Sequence, residues 1–182
     1  MAEDRGAPEA PSRLRAAAIV DDGSCDVDAL LAATARRERL AGRRVRGLLM
    51  TYPGGREGCA GDMVLVDLDT DEPYLVSQPL GADSTACRAD PQGFARASEV
   101  LRRAADEVSD LVICNRFGRM EAEGGGFRAE LLELMVRGRP LLTAVAARHL
   151  EAWRRFTGGA AAELPAEAAA VEAWVGASAG TA

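Results

Sequence analysis

The stretch from Leu111 to Arg128 constrains the fold of this chain most, because it joins a strand-like apolar run to a polar loop. It reads LVICNRFGRMEAEGGGFR. The first four residues are apolar and favour a buried strand. Polarity begins abruptly at Asn115 and Arg116, and in an α/β sheet the carboxyl ends of the strands face the crevice where ligands bind. The pattern predicts a central strand with a ligand site at its end.

The segments around this strand alternate between strand-like and helix-like patterns, which is typical of a parallel sheet with right-handed crossovers. Two further apolar runs, Met63–Asp67 and Tyr74–Ser77, flank a polar turn and read as an antiparallel hairpin. We therefore expect a three-layer α/β/α fold with a mostly parallel sheet and an added β-hairpin on its edge. The other predicted strands are 14–20, 45–50 and 141–145, and the predicted helices are 27–40, 90–108, 127–137, 149–156 and 165–174.

The chain of 182 residues is long enough for one domain with a substantial core. We expect a disordered N-terminal arm at 1–13, a single α/β domain at 14–176 and a frayed tail at 177–182. No apolar run approaches the roughly 20 residues that span a bilayer, and nothing resembles a signal peptide. The four cysteines include no CxxC pair. These features favour a cytoplasmic protein with reduced thiols and no membrane insertion.

The charged residues exclude several classes of function. A net charge of −6 argues against a general nucleic-acid binder, because phosphate contacts need a basic surface. All 22 basic residues are arginines, so any mechanism that requires a lysine is excluded. A single histidine disfavours a structural zinc site. A small anion site built from a few arginines remains compatible with this composition.

Polar groups follow three of the predicted strands and are expected to converge at one edge of the sheet. They are Asp21–Asp26 after the first strand, Asn115–Glu123 after the central strand, and Thr143 with Arg148 at the last. A strand, loop and helix near the N-terminus is the usual position of a phosphate-binding loop. Here the consensus G-x-x-x-x-G-K-[ST] falls on Asp21, Asp26, Val27 and Asp28. The length fits, but the acidic residues would repel a triphosphate.

The segment Leu111–Glu121 and the order of elements resemble the small P-loop nucleoside-triphosphatases, whose second nucleotide motif reads roughly L-V-I-D-E-I-G-K-M-E. In that comparison Asn115 replaces the metal-bound Asp, Arg116 replaces the catalytic Glu and Arg119 replaces the Lys. Gly118, Met120 and Glu121 match. The resemblance implies a P-loop-like fold that lacks the lysine and the second-motif acids, and therefore favours a protein that is not an enzyme.

A second resemblance is nearly full-length and concerns a bacterial family known as domain of unknown function 2478. The chain shares with it the Asp-Asp-Gly loop after the first strand, an N-R-F-G-[KR]-x-E-A-E-G motif at 115–124, and an L-x-A-V-x-x-R-x-L-E-A-W-R run at 142–154. That family is associated with molybdenum uptake and nitrogenase gene neighbourhoods. The resemblance implies the handling of molybdate or tungstate, and the residues identify no cofactor beyond such an oxyanion.

The candidate site residues allow more than one interpretation. The arginines of the central loop, with its amides, suit an oxyanion site, but they could equally pair with Glu121, Glu123 or Asp22. The acidic first loop suits a helix cap, a divalent cation site or acceptors for those arginines. The candidate ligand-binding residues are Asp21, Asp22, Gly23, Ser24, Cys25, Asp26, Ser84, Arg88, Asn115, Arg116, Gly118, Arg119, Glu121 and Glu123.

Three functions remain open from the sequence. The first is an oxyanion-binding accessory protein for molybdate or tungstate, without hydrolysis of nucleoside triphosphates. The second is a nucleotide hydrolase or transferase in which Glu121 or Asp22 holds magnesium. The third is an interaction protein whose hairpin at 63–77 docks a partner. A homo-oligomer is a further alternative, with Trp153 and Phe156 either in its interface or packed among the C-terminal helices.

Overall fold

The computed structural model describes residues 14–53, 62–79 and 87–179 of the chain. Its main sheet and a small separate ribbon contain all the strands of this part. The strands are β1 (Ala16–Asp21), β2 (Val45–Thr51), β3 (Val64–Asp67), β4 (Pro73–Leu75), β5 (Ser77–Pro79), β6 (Cys87–Ala89), β7 (Leu111–Phe117), β8 (Leu141–Ala146) and β9 (Ala162–Leu164). The α-helices are α1 (Val27–Leu40), α2 (Pro91–Asp106), α3 (Arg119–Ala122), α4 (Arg128–Val136), α5 (Leu150–Thr157) and α6 (Ala168–Ala179).

The main sheet has seven strands in the order β4-β3-β2-β7-β8-β1-β9. The five strands β2, β7, β8, β1 and β9 run parallel, and β3 and β4 add an antiparallel hairpin on the edge next to β2. This confirms the α/β class, the mostly parallel sheet and the added hairpin. The crossovers place β8 between β1 and β7. The loops that follow β1 and β7 therefore lie two strands apart, at the carboxyl edge of the parallel strands.

The inner strands form because their apolar residues are buried on both faces of the sheet. All six residues of β8 are buried, as are the first four of β1, which is the pattern of a parallel strand covered by helices on both sides. Two helices begin where the sequence predicts. Asp26 caps α1 by accepting from the backbone N–H of Ala29, and Asp90 caps α2 by accepting from that of Gln92.

Helices cover the sheet as two separate layers. One core lies between the sheet and α2, α4 and α5, and the other between the sheet and α1 and α6. In the first, the ring of Trp153 is fully buried and meets Phe117 edge-on, at a centroid distance of 5.3 Å. Phe156 stacks on Phe117 at 5.4 Å. These two aromatic residues therefore pack α5 against the sheet. No helix in the described part of the chain has both the length and the apolar character to cross a membrane.

Three details differ from the sequence-based expectation. Ser77 does not extend the hairpin, because the strand pairing with β3 ends at Leu75 and Ser77 pairs with Ala89 in the β5–β6 ribbon. The short strand β9 pairs with β1, which an irregular Ala-rich segment did not predict. Helix α6 continues to Ala179, past the predicted end of the domain. The predicted arm at 1–13 lies outside the described residues.

A β-bulge interrupts β7 immediately before its end. Cys114 pairs with Thr143 and Phe117 pairs with Val145, so Asn115 and Arg116 together oppose a single residue of β8. An extra residue of this kind re-aims the side chains that follow it. Here Phe117 joins the same core as Cys114, although the two are three positions apart in the sequence. The bulge thus sends Phe117 towards α5 and leaves the two polar residues beside it at the sheet edge.

Candidate functional site

The loop between β1 and α1 uses its own carboxylates to bind its amides. Oδ1 of Asp21 accepts from the N–H of Gly23 at 3.2 Å, and Oδ1 of Asp22 accepts from that of Ser24 at 2.9 Å. Asp26 caps the helix at 3.0 Å. In a phosphate-binding loop such amides face the ligand. In this chain side-chain anions already occupy these three donors.

Arg116 reaches this loop from the bulge in β7 and contacts two carboxylates. Its Nη1 donates to Oδ2 of Asp21 at 3.1 Å, and its Nη2 donates to Oδ1 of Asp28 at 3.0 Å. Asp28 is 8% exposed, while the side chains of Asp21 and Arg116 are 23% and 35% exposed. The guanidinium therefore lies half-buried between the end of β1 and the first turn of α1, with both terminal nitrogens engaged.

Asn115 adds a buried amide to this group. Its Oδ1 accepts from the backbone N–H of Met50 at 2.9 Å, and its Nδ2 donates to Oδ1 of Asp28 at 3.3 Å. One side chain thus connects β7 to β2 and to α1. We call the four residues Asp21, Asp28, Asn115 and Arg116 the ionic cluster.

Opposing effects act on the charge state of Arg116. Burial of the guanidinium acts to lower its pKa, but the hydrogen bonds and charges of Asp28 and Asp21 outweigh burial and hold the pKa above its ordinary value. Arg116 is therefore a permanent cation that neutralises one of the two neighbouring carboxylates. A divalent cation at the same carboxylates would have to displace it.

Glu121, a candidate metal or anion contact, instead organises its own loop. Its carboxylate is 5% exposed and accepts from the N–H of Gly118 at 2.9 Å and from that of Phe127 at 3.0 Å. Gly126 has a φ of +57°, and a Cβ atom there would lie 2.1 Å from Oε1 of Glu121. The loop closes around this carboxylate, so Glu121 has a structural role.

The structure brings only part of the predicted site together. Asp21, Asn115 and Arg116 meet in the ionic cluster. Arg119 pairs with Glu123 at 2.7 Å in an exposed position, which realises the salt-bridged alternative for these two residues. At the carboxyl end of β8, Thr143 is buried and Arg148 is exposed.

Other candidates lie apart from the cluster or outside the description. Asp22 and Ser24 are exposed on the first loop, and the hydrogen bonds from Ser24 lower the pKa of Asp22. The thiol of Cys25 is exposed and donates to the carbonyl of Ala166 at 3.2 Å. Ser84 lies outside the described residues, and Arg88 belongs to β6 with its side chain outside the description.

Asp28 is the member of the ionic cluster that the candidate list omitted. It aligns with the Ser or Thr of the phosphate-loop consensus, but a carboxylate in the first turn of a helix is ordinary, because it complements the helix dipole. Only its contacts with Asn115 and Arg116 distinguish it. Among the described residues, no group of three or more His, Cys, Asp or Glu side chains is placed to hold a metal ion.

Comparison with known proteins supports a family relationship over most of the chain. The sequence model of one family, described as "Protein of unknown function (DUF2478)", matches residues 16–174. The "Molybdenum import ATP-binding protein ModC 2" of Bradyrhizobium diazoefficiens is 38% identical over 160 residues, which is 88% of this chain but 18% of that protein. This chain therefore spans less than a fifth of the length of that relative.

Two solved structures share the fold of this chain. A human cancer-related nucleoside triphosphatase superposes with a TM-score of 0.59 and 17% identity, covering 83% of this chain and 87% of that one. THEP1 from the hyperthermophile Aquifex aeolicus gives a TM-score of 0.65 and 15% identity, covering 89% and 95%. At this level of identity the likeness establishes a P-loop-NTPase-like fold.

Proposed function

The chain belongs to the DUF2478 family, and from that premise we propose that it is a non-hydrolytic accessory module for the handling of molybdate or tungstate. The observation that carries this proposal is the position of the Asp21 carboxylate. Its Oδ1 accepts from the loop amide of Gly23 and its Oδ2 from the guanidinium of Arg116. The carboxylate thus occupies the two donors that an external oxyanion would use.

The ionic cluster argues against nucleotide hydrolysis. Phosphoryl transfer depends on cations and metal ions that stabilise the charge developing on the phosphate. This chain has no lysine, and Arg116, the cation in the cluster, already binds two carboxylates. The amide of Asn115 is a weaker metal ligand than a carboxylate because it carries no charge, and its oxygen already accepts from the backbone N–H of Met50. A triphosphate at this loop would meet the carboxylates of Asp21, Asp22 and Asp28, and in the described part of the chain no group of three or more His, Cys, Asp or Glu side chains is placed to hold a compensating magnesium ion.

An oxyanion can still bind here by exchange with Asp21. The side chain of Asp21 is more exposed than that of Asp28, so it is the partner of Arg116 that can turn away into solvent. Its departure would free one guanidinium nitrogen and one loop amide that converge on the same position. Tetrahedral oxyanions accept such charge-assisted hydrogen bonds. The module would then hold its anion in competition with its own carboxylate.

The relationship to a molybdenum import protein supports the choice of oxyanion. The match to that relative covers 88% of this chain. We infer that the module serves the same import system and releases or senses the anion without consuming nucleotide.

Isothermal titration calorimetry with molybdate, tungstate and sulfate tests this function. We expect Asp21→Asn to bind molybdate more tightly than the wild type by about tenfold or more, since a charge-assisted competitor worth about 1.5–3 kcal/mol is removed. Asp22→Asn is the matched control, because it makes the same charge change on the same loop without a contact to Arg116. Arg116→Ala should abolish binding.

Two results would contradict the proposal. Equal gains from Asp21→Asn and Asp22→Asn would show that net charge alone governs the affinity. Phosphate release from nucleoside triphosphates at ordinary enzyme rates, on the order of 1 per second or faster, would show that the protein is an enzyme.

A further inference from the structure

Among the residues that the structure describes, the helices on the α1 face of the sheet leave the hairpin edge uncovered. Helix α1 packs over β2 and β7, while α6 lies on the far side of α1 towards β9 and β1. Beside α1, over β2 and β3, the surface forms an open groove of about 450 Å³. The opposite face carries three helices, so this groove has the position that a third helix would take.

The groove is apolar along its floor and one wall. Leu49 and Val66, which are paired neighbours on β2 and β3, form the floor together with Leu68. Ala35 and Leu40 of α1 form the wall, and the side chain of Leu40 is 79% exposed. An apolar surface shaped as a groove between a helix and a sheet is suited to a partner side chain or helix.

The rim of the groove is basic, although the chain as a whole is acidic. Arg36 is exposed and makes no ion pair or hydrogen bond with any residue that the structure describes. Nη1 of Arg39 lies 3.4 Å from Oδ1 of Asp71, and both side chains are exposed to solvent. Exposed pairs of this kind contribute little, so both guanidinium groups are available to an acidic partner.

We propose that this groove docks an acidic amphipathic helix of another protein. Its apolar stripe would pack on Leu49, Val66 and Leu40, and carboxylates along one flank would pair with Arg36 and Arg39. A helix with its side chains is about 10–12 Å wide, the size of one missing element in the layer. A second copy of this chain is the weaker occupant, because a two-fold contact would place one basic rim against another. The groove is separate from the ionic cluster and does not depend on anion binding.

Fluorescence polarisation with two designed peptides tests this interface. The first is a labelled helix of about 18 residues, long enough to be helical, with Leu at i, i+3, i+4 and i+7 and Glu along both flanks. The second carries Lys in place of every Glu. We expect the Glu peptide to bind the full chain and the Lys peptide to bind at least roughly tenfold more weakly.

Variants of the chain locate the site. Val66→Asp and Arg36→Glu should each weaken binding of the Glu peptide by roughly tenfold or more. Arg96→Glu is the control, because Arg96 is likewise exposed but lies on α2, which covers the other face of the sheet. Leu40→Glu replaces an exposed side chain and keeps the test valid if Val66→Asp does not fold.

The proposal is overturned if the Glu peptide does not bind, if both peptides bind equally, or if Arg36→Glu and Arg96→Glu have the same effect. Sedimentation equilibrium addresses the competing occupant. A wild-type dimer that Leu40→Glu converts to a monomer would assign the groove to a second copy and refute the acidic partner.

Discussion

Nη2 of Arg116 lies 3.0 Å from Oδ1 of Asp28, although the two residues are 88 positions apart in the chain. This contact joins the end of the central strand to the first turn of α1. Asp28 is 8% exposed, and the charge of Arg116 compensates its carboxylate. The pair therefore contributes both to the stability of the fold and to the chemistry of the sheet edge.

Replacement of Arg116 by Ala should destabilise the protein. Loss of the guanidinium removes the ion pairs of Arg116 with the buried Asp28 and with Asp21, and breaking a buried pair costs about 3–5 kcal/mol. Since Arg116 is 35% exposed, we expect about 2–3 kcal/mol by urea denaturation. The control is Arg119→Ala, whose pair with Glu123 is exposed and should cost less than about 1 kcal/mol. Equal losses of unfolding free energy in the two variants would show that the ionic cluster stabilises the fold no more than an exposed ion pair does.

The closed loop around Glu121 predicts a second difference between variants. Gly126→Ala would place a methyl group 2.1 Å from Oε1 of Glu121 and should force that carboxylate off the N–H of Phe127. Gly138→Ala meets nothing within 4 Å at a similar φ of +66°, so it reports only the backbone strain of about 1–2 kcal/mol. We expect Gly126→Ala to lower the free energy of unfolding by at least about 1 kcal/mol more. Equal denaturation midpoints for Gly126→Ala and Gly138→Ala would contradict a stabilising hydrogen bond between Glu121 and the N–H of Phe127.

The pair between Asp110 and Arg44 predicts a pH dependence. The side-chain hydrogen bonds from Arg44, at 3.0 and 3.1 Å, and its backbone N–H at 2.8 Å lower the pKa of Asp110. A lowered folded-state pKa adds stability above the unfolded value of about 3.9, and this stability is lost as the pH falls through the folded value. Asp110→Asn should therefore cost about 1 kcal/mol near pH 7, and the cost should fall progressively as the pH drops below about 3.9.

Urea titrations of this variant at several pH values give the test. Asp62→Asn is the control, because Asp62 is exposed and makes no hydrogen bond or ion pair with other described residues. A difference between the two variants that stays constant from neutral to acidic pH would contradict the linkage.

Two thiols should differ sharply in reactivity. Cys25 is exposed, whereas Cys114 is buried, and burial together with the charge of Glu121 raises the pKa of the Cys114 thiol. In a Cys59→Ser/Cys87→Ser background, Ellman's reagent should modify one thiol quickly and the second only as the protein unfolds. Rapid modification of both thiols in the native state would contradict the burial of β7.

The sequence predicted elements better than it predicted their contacts. Apolar runs and caps such as Asp26 and Asp90 are local signals, and they placed most strands and the starts of α1 and α2. The order of the strands depends on crossovers between distant segments, so nothing local indicated that β8 separates β1 from β7. Asp28 was passed over for the same reason, since its role exists only through Arg116 and Asn115.

The bulge at Asn115 and Arg116 has a consequence for any change in the length of β7. Strand side chains alternate between faces, so deletion of either residue would give a regular strand in which Phe117 still pairs with Val145 and still faces α5. The aromatic packing against Trp153 would survive, but one polar residue would remain at the sheet edge where Asn115 and Arg116 now both contact Asp28. The additional residue thus lets one strand end supply two polar side chains to the ionic cluster without moving the ring beside them.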